Sequence, residues 1–384
     1  MRILLVGKYP LDHQYSMERY AAMLYVELAR LGHQVELIAP EVKLGGLRPG
    51  GTVGKWLGYV DKYLLFPGVL RRQASRFELI HVCDHSNSMY LKHTGQTPAS
   101  ITCHDLLAIF SALNRYPGVK KSFTGRMQQR WIRNNLAEAR RVVCVSTHTA
   151  QQFQELKPRA DQRVTVIYNP LGRDYGPASP DAVESMRGKM GLSLGETYLL
   201  HVGGDAWYKN RMGAVRIYAR LIRELEARGD RSPKLVLAGD SFSDELQRNV
   251  MEWGLERQVI SAPAPTDEEL GVLYSGAQAL LFPSLQEGFG WPILEAQSCG
   301  CPVITSNRAP MTEVAGEAAV LIDPEDEVAA AQTIAARLDK LDELRAAGFE
   351  NLKRFDRGRL MKQYERFFLE PCGPDLPTAT GSTD

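Results

Sequence analysis

The feature of this sequence that most constrains the fold is an alternation of short apolar runs with longer segments of helical periodicity. The first cycle is an apolar run from Arg2 to Gly7, a helical pattern from Ser16 to Leu31 closed by Gly32, and a second run from Gln34 to Ala39. Further runs follow at 79–82, 99–103, 141–145 and 164–167. Strands that alternate with helices indicate a parallel β-sheet covered by helices on both faces.

The same alternation begins again after a turn-rich stretch, Gly172 to Pro180. This second series predicts strands at 198–202, 234–238, 279–282, 302–305 and 319–322. The length of 384 residues suits two domains, because a domain takes roughly 150 residues. We therefore predict an α/β fold of two doubly wound, Rossmann-like domains, at residues 1–175 and 181–355. We expect them to face each other across a cleft, with the carboxyl ends of both sheets turned towards it.

The ends of the chain add a helix and a tail. Residues 356–370 are predicted to form a helix that crosses back to the N-terminal domain. Residues 371–384 are rich in Pro, Gly, Ser and Thr and are predicted to form a disordered tail.

No run of 18 apolar residues exists, and the first apolar run is too short for a signal peptide. The six cysteines are scattered. We expect a cytoplasmic protein whose membrane contact, if any, is peripheral at the inner face.

The net charge of +1 hides a division between the two halves of the chain. Residues 1–178 hold 24 Lys and Arg against 13 Asp and Glu, whereas residues 179–384 hold 22 against 32. Exposed cations concentrate anions over roughly one Debye length, so the basic half indicates an anionic partner such as a phospholipid, a nucleic acid or a phosphorylated substrate. The alternative is an imbalance that serves solubility alone.

The basic half has two candidate docking segments. Arg126, Arg130, Arg133 and Arg140 are assigned to one helical face, beside an apolar stripe formed by Phe123, Met127 and Trp131. The wider stretch, Arg115 to Arg141, also contains Lys120. The second segment interleaves Trp56, Tyr59, Tyr63, Leu64 and Phe66 with Lys55, Lys62, Arg71 and Arg72. Such patterns suit anionic lipid headgroups, but a solvated basic face over a core-facing stripe explains them equally well.

The most informative segment for chemistry runs from Phe282 to Pro302. Glycines precede a proline, Pro292, at the predicted start of a helix, which is a helix-start signal. Backbone amides at a helix N-terminus suit a phosphate, and two carboxylates, Glu287 and Glu295, stand on either side of the turn. Amides for a diphosphate and carboxylates for hydroxyl groups fit a sugar nucleotide.

Glu287-Gly-Phe-Gly followed by Glu295 resembles the E-x7-E signature of retaining GT-B glycosyltransferases, specifically glycosyltransferase family 4 (glycosyl transferases group 1). The resemblance covers nearly the whole chain. It is also carried by His201-Val-Gly-Gly, Lys209-Asn210, Leu235–Gly239, Ala309–Glu313, Leu321–Pro324, Cys103–Asp105, Val145-Ser146, Thr149 and Val166–Pro170.

The resemblance implies that domain 1–175 lies on the acceptor side and that domain 181–355 binds the donor. It also implies roles for individual residues. Glu295 would bind the ribose hydroxyls, Glu287 the hydroxyls of the donor sugar, and Lys209 the diphosphate. The loop of Gly288, Phe289 and Gly290 would bind the donor through backbone amides. His104 would lie near the transferred sugar and share the catalytic role with Glu287.

Some positions depart from the family pattern. Tyr15-Ser16 stand where the family usually has Gly-Gly, which makes Ser16 the candidate donor contact in that loop. Gly204 stands where many members have an Arg, and Arg211 is the candidate to supply that charge. No D-x-D triplet occurs, so we expect no metal and no cofactor, with the diphosphate neutralised by Lys209 and a helix dipole.

The resemblance implies that a hexose, with mannose favoured, moves with retention from a nucleotide-diphosphate sugar to a glycan or lipid-linked acceptor in cell-surface polysaccharide or glycolipid synthesis. The alternative is a catalytically weak, glycosyltransferase-like binding scaffold. A nicotinamide oxidoreductase is disfavoured because the first strand lacks a G-x-G-x-x-G loop. Nucleic acid is excluded as a partner for want of a recognition motif. An anionic membrane surface remains a candidate partner.

Overall fold

The computed structural model describes residues 1–48, 50–116, 118–119 and 121–370. The chain divides into two compact units. The N-terminal unit comprises Met1–Tyr168 together with the residues from Arg357 onward, and the C-terminal unit comprises Asn169–Asp356. Lys120 and the tail 371–384, for which the sequence predicts disorder, lie outside the described residues.

Each unit contains a parallel sheet of six strands within the described residues. The strands of the N-terminal unit are β1 (Arg2–Val6), β2 (Gln34–Ile38), β3 (Leu79–Val82), β4 (Ala99–Cys103), β5 (Arg141–Cys144) and β6 (Arg163–Val166). Those of the C-terminal unit are β7 (Tyr198–Gly203), β8 (Lys234–Gly239), β9 (Val259–Pro263), β10 (Ala279–Phe282), β11 (Val303–Ser306) and β12 (Ala319–Ile322).

Helices connect these strands. The helices before the boundary are α1 (Tyr15–Arg30), α2 (Gly51–Val60), α3 (Phe66–Ala74), α4 (Leu107–Ala112), α5 (Phe123–Ala137) and α6 (Thr147–Gln154). Those after it are α7 (Pro180–Lys189), α8 (Arg211–Arg228), α9 (Asp244–Glu252), α10 (Asp267–Gly276), α11 (Trp291–Ser298), α12 (Met311–Ala315), α13 (Glu327–Arg337), α14 (Glu343–Leu352) and α15 (Arg357–Leu369).

The strand order places a topological switch point in each sheet. The N-terminal sheet has the order β2-β1-β3-β4-β5-β6, so the chain leaves β1 first towards β2 and later returns to the other side of β1 at β3. The C-terminal sheet has the order β12-β11-β10-β7-β8-β9, and its direction reverses between β7 and β10. Loops at the carboxyl ends of such strand pairs diverge and leave room for a ligand.

The cores are formed by the strands and the apolar faces of the covering helices. Leu4, Ile80 and Ile101 of the N-terminal sheet are fully buried, as are Leu199, Leu235 and Leu281 of the C-terminal sheet. Strands buried on both faces explain why these segments read as continuous apolar runs in the sequence. The prediction of two doubly wound, parallel-sheet domains is confirmed.

One strand was missing from the prediction. β9 lies at the edge of its sheet, next to β8 alone, and only Val259 of its residues is buried. A short edge strand that ends in Pro263 lacks the apolar run that marks the central strands. The other strands lie within one or two residues of their predicted ends.

Helix α15 belongs to the N-terminal unit. The hydroxyl groups of Tyr364 and Tyr20 lie 2.5 Å apart, and Tyr20 also contacts the Thr102 hydroxyl at 2.8 Å. Phe367 packs under the Arg141 guanidinium, 4.5 Å from ring centroid to Cζ. A buried polar network and an aromatic contact therefore attach the last helix to β4, β5 and α1.

Helices α2 and α3 are joined without a break by a π-helical turn, Asp61–Leu65. In this wider turn two adjacent charged residues, Asp61 and Lys62, are both buried. The Asp61 carboxylate accepts hydrogen bonds from the Tyr9 hydroxyl and from the backbone N–H groups of Lys43, Leu44 and Gly45, all at 2.8–3.1 Å. The turn thereby attaches the loop at 43–45 to the segment after β1, and π turns of this kind often mark functional sites.

Candidate functional site

The switch point of the C-terminal sheet brings together the loops that follow β7 and β10. The backbone N–H of Leu285 donates to the Tyr208 carbonyl at 2.8 Å, and the Asn210 amide nitrogen donates to the Pro283 carbonyl at 3.0 Å. These bonds connect two loops that are more than 70 residues apart in the chain. The predicted donor residues Lys209 and Glu287 come from these two loops.

Glycines keep the loop after β7 close to the strand ends. A Cβ atom on Gly239 would lie 2.4 Å from the Gly203 carbonyl oxygen, and Gly239 has a φ of +136°. A Cβ atom on Gly203 would contact the aliphatic part of Lys209 at 3.4 Å. The backbone therefore needs glycine at position 239, and the Lys209 side chain lies directly along the strand end.

The polar centre of this loop pair is formed by Lys209, Glu287 and Ser284. The Lys209 Nζ atom lies 2.8 Å from Glu287 Oε1, and the Ser284 hydroxyl donates to the same oxygen at 3.0 Å. Burial opposes the charged ammonium, but Glu287, Tyr208 and Glu295 together outweigh burial and raise the pKa of Lys209 above its ordinary value. The side chain of Lys209 is 20% exposed and that of Glu287 only 9%, so the cation is the partner offered to solvent.

Helix α8 begins at Arg211. Asn210, which stands between Lys209 and the helix, takes a left-handed conformation with a φ of 55°. Gly213 leaves space for the Asn210 amide, since a Cβ atom on Gly213 would lie 2.2–2.4 Å from it. Asn210 thus turns the chain into the helix and holds the loop after β10 at the same time.

The loop of Gly288, Phe289 and Gly290 leads into helix α11. Gly290 has a φ of +105° and precedes the first helical residue, Trp291. The Trp291 indole N–H donates to the Pro170 carbonyl at 3.0 Å, and the Phe289 ring packs edge-on against Phe355 at 5.8 Å between centroids. The predicted helix start is confirmed, with Pro292 at the second helical position instead of the first.

Glu295 lies in the middle of α11 and is almost fully buried. The Tyr274 hydroxyl, from α10, donates to Glu295 Oε2 at 3.0 Å. Burial and the Glu295 charge raise the pKa of Tyr274 well above its ordinary value, so the phenol stays a donor. The sequence analysis missed Tyr274, because nothing in the pattern of α10 distinguishes it from a core tyrosine.

Arg173 is a further neighbour that the sequence analysis missed. Its guanidinium pairs with Asp267 at 2.7 Å and hydrogen-bonds the Tyr175 hydroxyl. Burial works against the charged form, but Glu295 and then Tyr175 raise the pKa of Arg173. Arg173 therefore lies within electrostatic reach of Glu295.

Arg211 occupies a different position from Lys209. Its guanidinium donates to the backbone carbonyls of Asp240 at 2.6 Å and Ser241 at 3.2 Å, and the residue is buried. These bonds hold the loop that follows β8. The structure thus places Arg211 beneath that loop, and its assignment as a diphosphate contact stays a prediction.

The two predicted residues of the N-terminal unit also follow its strands. Ser16 lies half-buried in the first turn of α1. His104 follows β4 and is buried, with Nε2 2.9 Å from the Cys83 carbonyl and its ring edge-on to Tyr20. Burial lowers the pKa of His104, so the ring is neutral, with the proton on Nε2 donated to that carbonyl.

Beside His104 lies a charged cluster that the sequence analysis did not identify. Lys8 follows β1, and its Nζ atom lies 2.6 Å from the Ser86 hydroxyl and 3.7 Å from Asp84. Burial favours the neutral acid, but Lys8 and then His85 hold the pKa of Asp84 well below its ordinary value. The sequence could have indicated Lys8 and Asp84 only by position, because both come shortly after predicted strands.

The structure corrects part of the prediction about the two candidate docking segments. Arg140 lies beyond the end of α5, so it does not share a helical face with Arg126, Arg130 and Arg133. Lys62 and Phe66 of the second segment are buried and cannot contact a surface. The alternative of a core-facing stripe on α5 is wrong, because Phe123, Met127 and Trp131 are 70%, 56% and 40% exposed.

These exposed residues adjoin a second exposed group. The Trp131 ring lies 5.1 Å from that of Tyr63, and the Gln128 amide donates to the Tyr63 hydroxyl at 2.8 Å. We call the combined surface the aromatic patch; its members are Val53, Trp56, Leu64, Phe123, Met127 and Trp131. Within the described residues, no helix is both long and apolar enough to cross a membrane.

Comparison with known proteins gives two family matches along the chain. Glycosyltransferase Family 4 matches residues 17–174, and Glycosyl transferases group 1 matches residues 183–353. These ranges fall almost entirely within the N-terminal and C-terminal units, respectively.

The chain is also similar to individual proteins. It is 28% identical over 334 residues to the O-antigen chain mannosyltransferase B of Escherichia coli, covering 83% of this chain and 85% of that protein. It is 30% identical over 234 residues to the serotype-specific mannosyltransferase WbdA of Escherichia coli, covering 58% of this chain but only 27% of that protein. The crystal structure of Anabaena Alr3699/HepE in complex with UDP-glucose superimposes with a TM-score of 0.70 at 17% identity, over 95% of this chain and 98% of that one.

Proposed function

Because this chain belongs to the glycosyltransferases of family 4, with the GT-B fold, we propose that it moves a hexose, with mannose favoured, from a nucleotide-diphosphate sugar to a glycan or lipid-linked acceptor. The proposed role is synthesis of a cell-surface polysaccharide. The mannosyltransferase names of the two relatives support the sugar and the role. The UDP-glucose complex of the structural neighbour supports a nucleotide sugar as the donor.

The observation that carries the proposal is the Lys209–Glu287 pair at the switch point of the C-terminal sheet. The pair lies at 2.8 Å, where loops from β7 and β10 meet beside the start of α11. A partly exposed ammonium suits a diphosphate, and a fixed carboxylate suits sugar hydroxyls. The ribose would bind at Glu295, whose Oε2 atom accepts a hydrogen bond from the Tyr274 hydroxyl.

The proposed reaction is a front-face displacement with retention. The acceptor oxygen bonds to the anomeric carbon as the bond from that carbon to the phosphate oxygen breaks, and the acceptor proton passes to the departing diphosphate. Glu287 accepts hydrogen bonds from Lys209 and Ser284, which suits positioning of the sugar better than nucleophilic attack. The protein supplies positioning and charge stabilisation, with Lys209 facing the growing negative charge.

The donor assignment is tested by nucleotide-sugar binding to Lys209→Ala and Glu295→Ala. Thermal-shift or saturation-transfer screening of nucleotide sugars first identifies the donor for the unaltered protein. Each substitution should then weaken its binding by about 1.5–3 kcal/mol, because each removes a charged hydrogen-bond partner. Unchanged affinity in both variants would reject the assignment.

A matched control is Lys234→Ala. Lys234 pairs with Glu196 at 3.2 Å, and its side chain is 17% exposed, close to the 20% of Lys209. This variant should bind the donor normally.

Turnover of the unaltered protein should persist in excess EDTA, and full loss of activity that manganese restores would overturn the metal-independent mechanism. Donor binding without turnover under any condition would favour the scaffold alternative.

We further propose that the aromatic patch docks on an anionic membrane. Phe123, Met127 and Trp131 form an exposed stripe of α5, and the exposed cations Arg126, Arg130 and Lys55 belong to the same helices as the patch residues, α5 and α2. Exposed aromatic and apolar side chains insert at the headgroup boundary, and each nearby cation adds about 1 kcal/mol of attraction to anionic lipid. Membrane docking would bring the enzyme to a lipid-linked acceptor.

Membrane docking is tested by sedimentation with vesicles that contain anionic lipid. The protein should sediment at low salt and leave the vesicles as salt rises. The triple variant Arg126→Glu, Arg130→Glu and Arg133→Glu should stay in the supernatant while it still transfers to a water-soluble acceptor. Arg216, Arg220 and Arg223 of α8 have the same spacing and are exposed, so their triple glutamate variant is the control and should still sediment. If parent and both variants stay in the supernatant, membrane docking is refuted.

A further inference from the structure

The segment 169–178 opens the C-terminal unit and runs along helices α10 and α11 of the same unit. Near its start, the Pro170 carbonyl accepts a hydrogen bond from the Trp291 indole N–H at 3.0 Å. At its end, the backbone N–H of Ala178 donates to the Ser275 hydroxyl at 2.9 Å. The segment is therefore attached to both helices, one of which carries Glu295.

Two aromatic rings connect the middle of this segment to the buried carboxylate of Glu295. Tyr175 packs against Tyr274 of α10, with the ring centroids 6.1 Å apart. Gly271 leaves room for this contact, since a Cβ atom there would lie 3.2 Å from the Tyr175 ring. The Tyr274 hydroxyl donates in turn to Glu295 Oε2 at 3.0 Å. The two tyrosines thus form a wall beside the carboxylate.

Arg173 completes this wall. Its guanidinium donates to the Tyr175 hydroxyl and pairs with Asp267 at 2.7 Å. The arginine side chain is only 16% exposed, whereas that of Asp267 is 62% exposed. An ion pair with a carboxylate so open to water stabilises a fold by at most about 1 kcal/mol. The pair with Asp267 therefore does not explain why the arginine is largely buried.

The charge of Glu295 explains the position of Arg173 better. Burial opposes the charged guanidinium, but Glu295 makes the largest of the contributions that raise the pKa of Arg173, ahead of Tyr175 and Asp267. Within the part of the chain that the structure describes, the buried Nε–H of Arg173 has no hydrogen-bond partner. Most buried side-chain donors in folded proteins have one. Arg173 is therefore not built in by a complete set of protein hydrogen bonds.

We propose that Arg173 is a positioning residue of the donor site that acts through Glu295. Its charge balances the buried carboxylate, and its bond to Tyr175 fixes the wall that directs this carboxylate at the ribose hydroxyls of the donor. This inference rests on the proposed function, in which Glu295 binds the ribose. It adds the segment 169–178, which lies more than 100 residues before the motif-bearing loop, to the donor site.

The test measures binding of UDP and GDP, and of their 2′,3′-dideoxy counterparts, by isothermal titration calorimetry. For the nucleotide that the unaltered protein binds, Arg173→Met should weaken binding about 10-fold, which is within the range of coupling between residues of one network. The dideoxy nucleotide lacks the ribose hydroxyls, so Arg173→Met should bind it as the unaltered protein does. In the transfer reaction the donor KM should rise by a similar factor while kcat stays unchanged.

A double-mutant cycle tests whether Arg173 acts through Glu295. In a Glu295→Gln background, Arg173→Met should cause no further loss of nucleotide affinity, because the carboxylate that it positions is already gone. Arg173→Lys retains the charge and should recover part of the affinity. If Arg173→Met does not fold, Tyr175→Phe takes its place, since it removes the hydroxyl that holds the guanidinium, and the same pattern is expected.

The matched control is Arg187→Met in the same unit. The Arg187 side chain is 14% exposed and pairs with Glu184, which is 68% exposed, at 3.2 Å, so this arginine has the burial and the kind of ion pair that Arg173 has. The control should bind both forms of the nucleotide normally. A loss equal to that of Arg173→Met would assign the effect to stability and overturn the proposal.

Two further outcomes overturn the proposal: unchanged nucleotide affinity in Arg173→Met, and an equal loss for the ribose and dideoxy forms. If neither UDP nor GDP binds the unaltered protein, this inference and the donor assignment both fail. If the expected pattern is seen while no nucleotide sugar supports transfer, the role of Arg173 stands and the proposed function fails. If transfer occurs and Arg173→Met leaves the donor KM unchanged, the function stands and the role of Arg173 fails.

Discussion

The two units are doubly wound sheets of different strand order, and they expose opposite partners of a lysine–carboxylate pair. Each unit holds a lysine–carboxylate pair at 2.8 Å, Lys209–Glu287 in the C-terminal unit and Lys62–Asp12 in the N-terminal unit. In the first pair the lysine is the more exposed partner, and in the second the carboxylate is. The more exposed partner is therefore the cation in one pair and the carboxylate in the other.

The pKa directions agree with this contrast. Burial is outweighed at Lys209 by Glu287 together with Tyr208 and Glu295, so its pKa is raised, whereas burial lowers the pKa of Lys62 and Asp12 compensates only in part. A diphosphate donor needs a reachable cation. The comparison teaches that the burial of each partner determines which charge of a lysine–carboxylate pair reaches the surface.

The largest effect should come from exchanging the lysines for methionine one at a time. Lys209→Met should lower kcat about 10²- to 10³-fold, because it removes the charge that faces the departing diphosphate. Lys62→Met should leave kcat unchanged, because Lys62 pairs with Asp12 in the other unit. Steady-state kinetics with both substrates varied distinguishes the two. Equal effects of the two variants on kcat would break the comparison between the units.

A smaller effect is expected on stability from Asp61→Asn. The carboxylate accepts four hydrogen bonds in a buried position, so its neutral amide should cost about 2–4 kcal/mol of unfolding free energy in the N-terminal unit. Urea unfolding followed by tryptophan fluorescence measures the change. Asp161→Asn, at an exposed pair with Arg159, is the control and should leave the unfolding midpoint unchanged.

The pH dependence of this contribution has a definite sign. The backbone N–H groups and the Tyr9 hydroxyl outweigh burial and lower the pKa of Asp61 below its ordinary value. Its stabilisation is therefore present above the unfolded-state pKa of about 4 and is lost as the pH falls through the folded-state value. The difference between parent and Asp61→Asn should shrink below about pH 4; a constant difference would contradict the assignment.

The smallest effect concerns one buried histidine in each unit. Burial lowers the pKa of His81 in β3 to about 3 and of His201 in β7 to about 4. Between the unfolded value of about 6.5 and these values the unfolded chain binds more protons. Lowering the pH therefore reduces the free energy of unfolding, by up to about 1.4 kcal/mol per pH unit for each histidine. His201→Asn retains a donor for the Leu281 carbonyl and should remove one such contribution. His81 keeps its own contribution in this variant. If the unfolding free energy of His201→Asn changed with pH as steeply as that of the parent, the contribution assigned to His201 would be contradicted.

The sequence predicted most of the fold because central parallel strands and amphipathic helices leave strong periodic signals. Strands such as Leu79–Val82 and Ala279–Phe282 are marked by continuous apolar runs, whereas the edge strand β9 has no such run and was missed. The start of α11 was also predictable, because glycines and Pro292 act locally on the backbone.

The sites were predictable only in part. Glu287, Lys209 and Glu295 could be named from motifs, although their roles remain predictions, and the helix of Phe123, Met127 and Trp131 could be named without knowing which way it faces. Tyr274 and the Asp12–Lys62 pair gave no sequence signal, because each depends on a contact between residues distant in the chain. Asp84 offered only its position after a predicted strand.

The sequence by itself therefore determined the succession of strands and helices, the two-domain architecture and the motif-bearing loops, since these follow from local backbone preferences and hydrophobic periodicity. Only the tertiary structure decided which charged partner of each lysine–carboxylate pair reaches the surface, whether the α5 stripe is exposed, and which residues surround Glu295. Burial is a property of the packed chain, and the same lysine attracts a phosphate when it is exposed and only orients its carboxylate when it is buried.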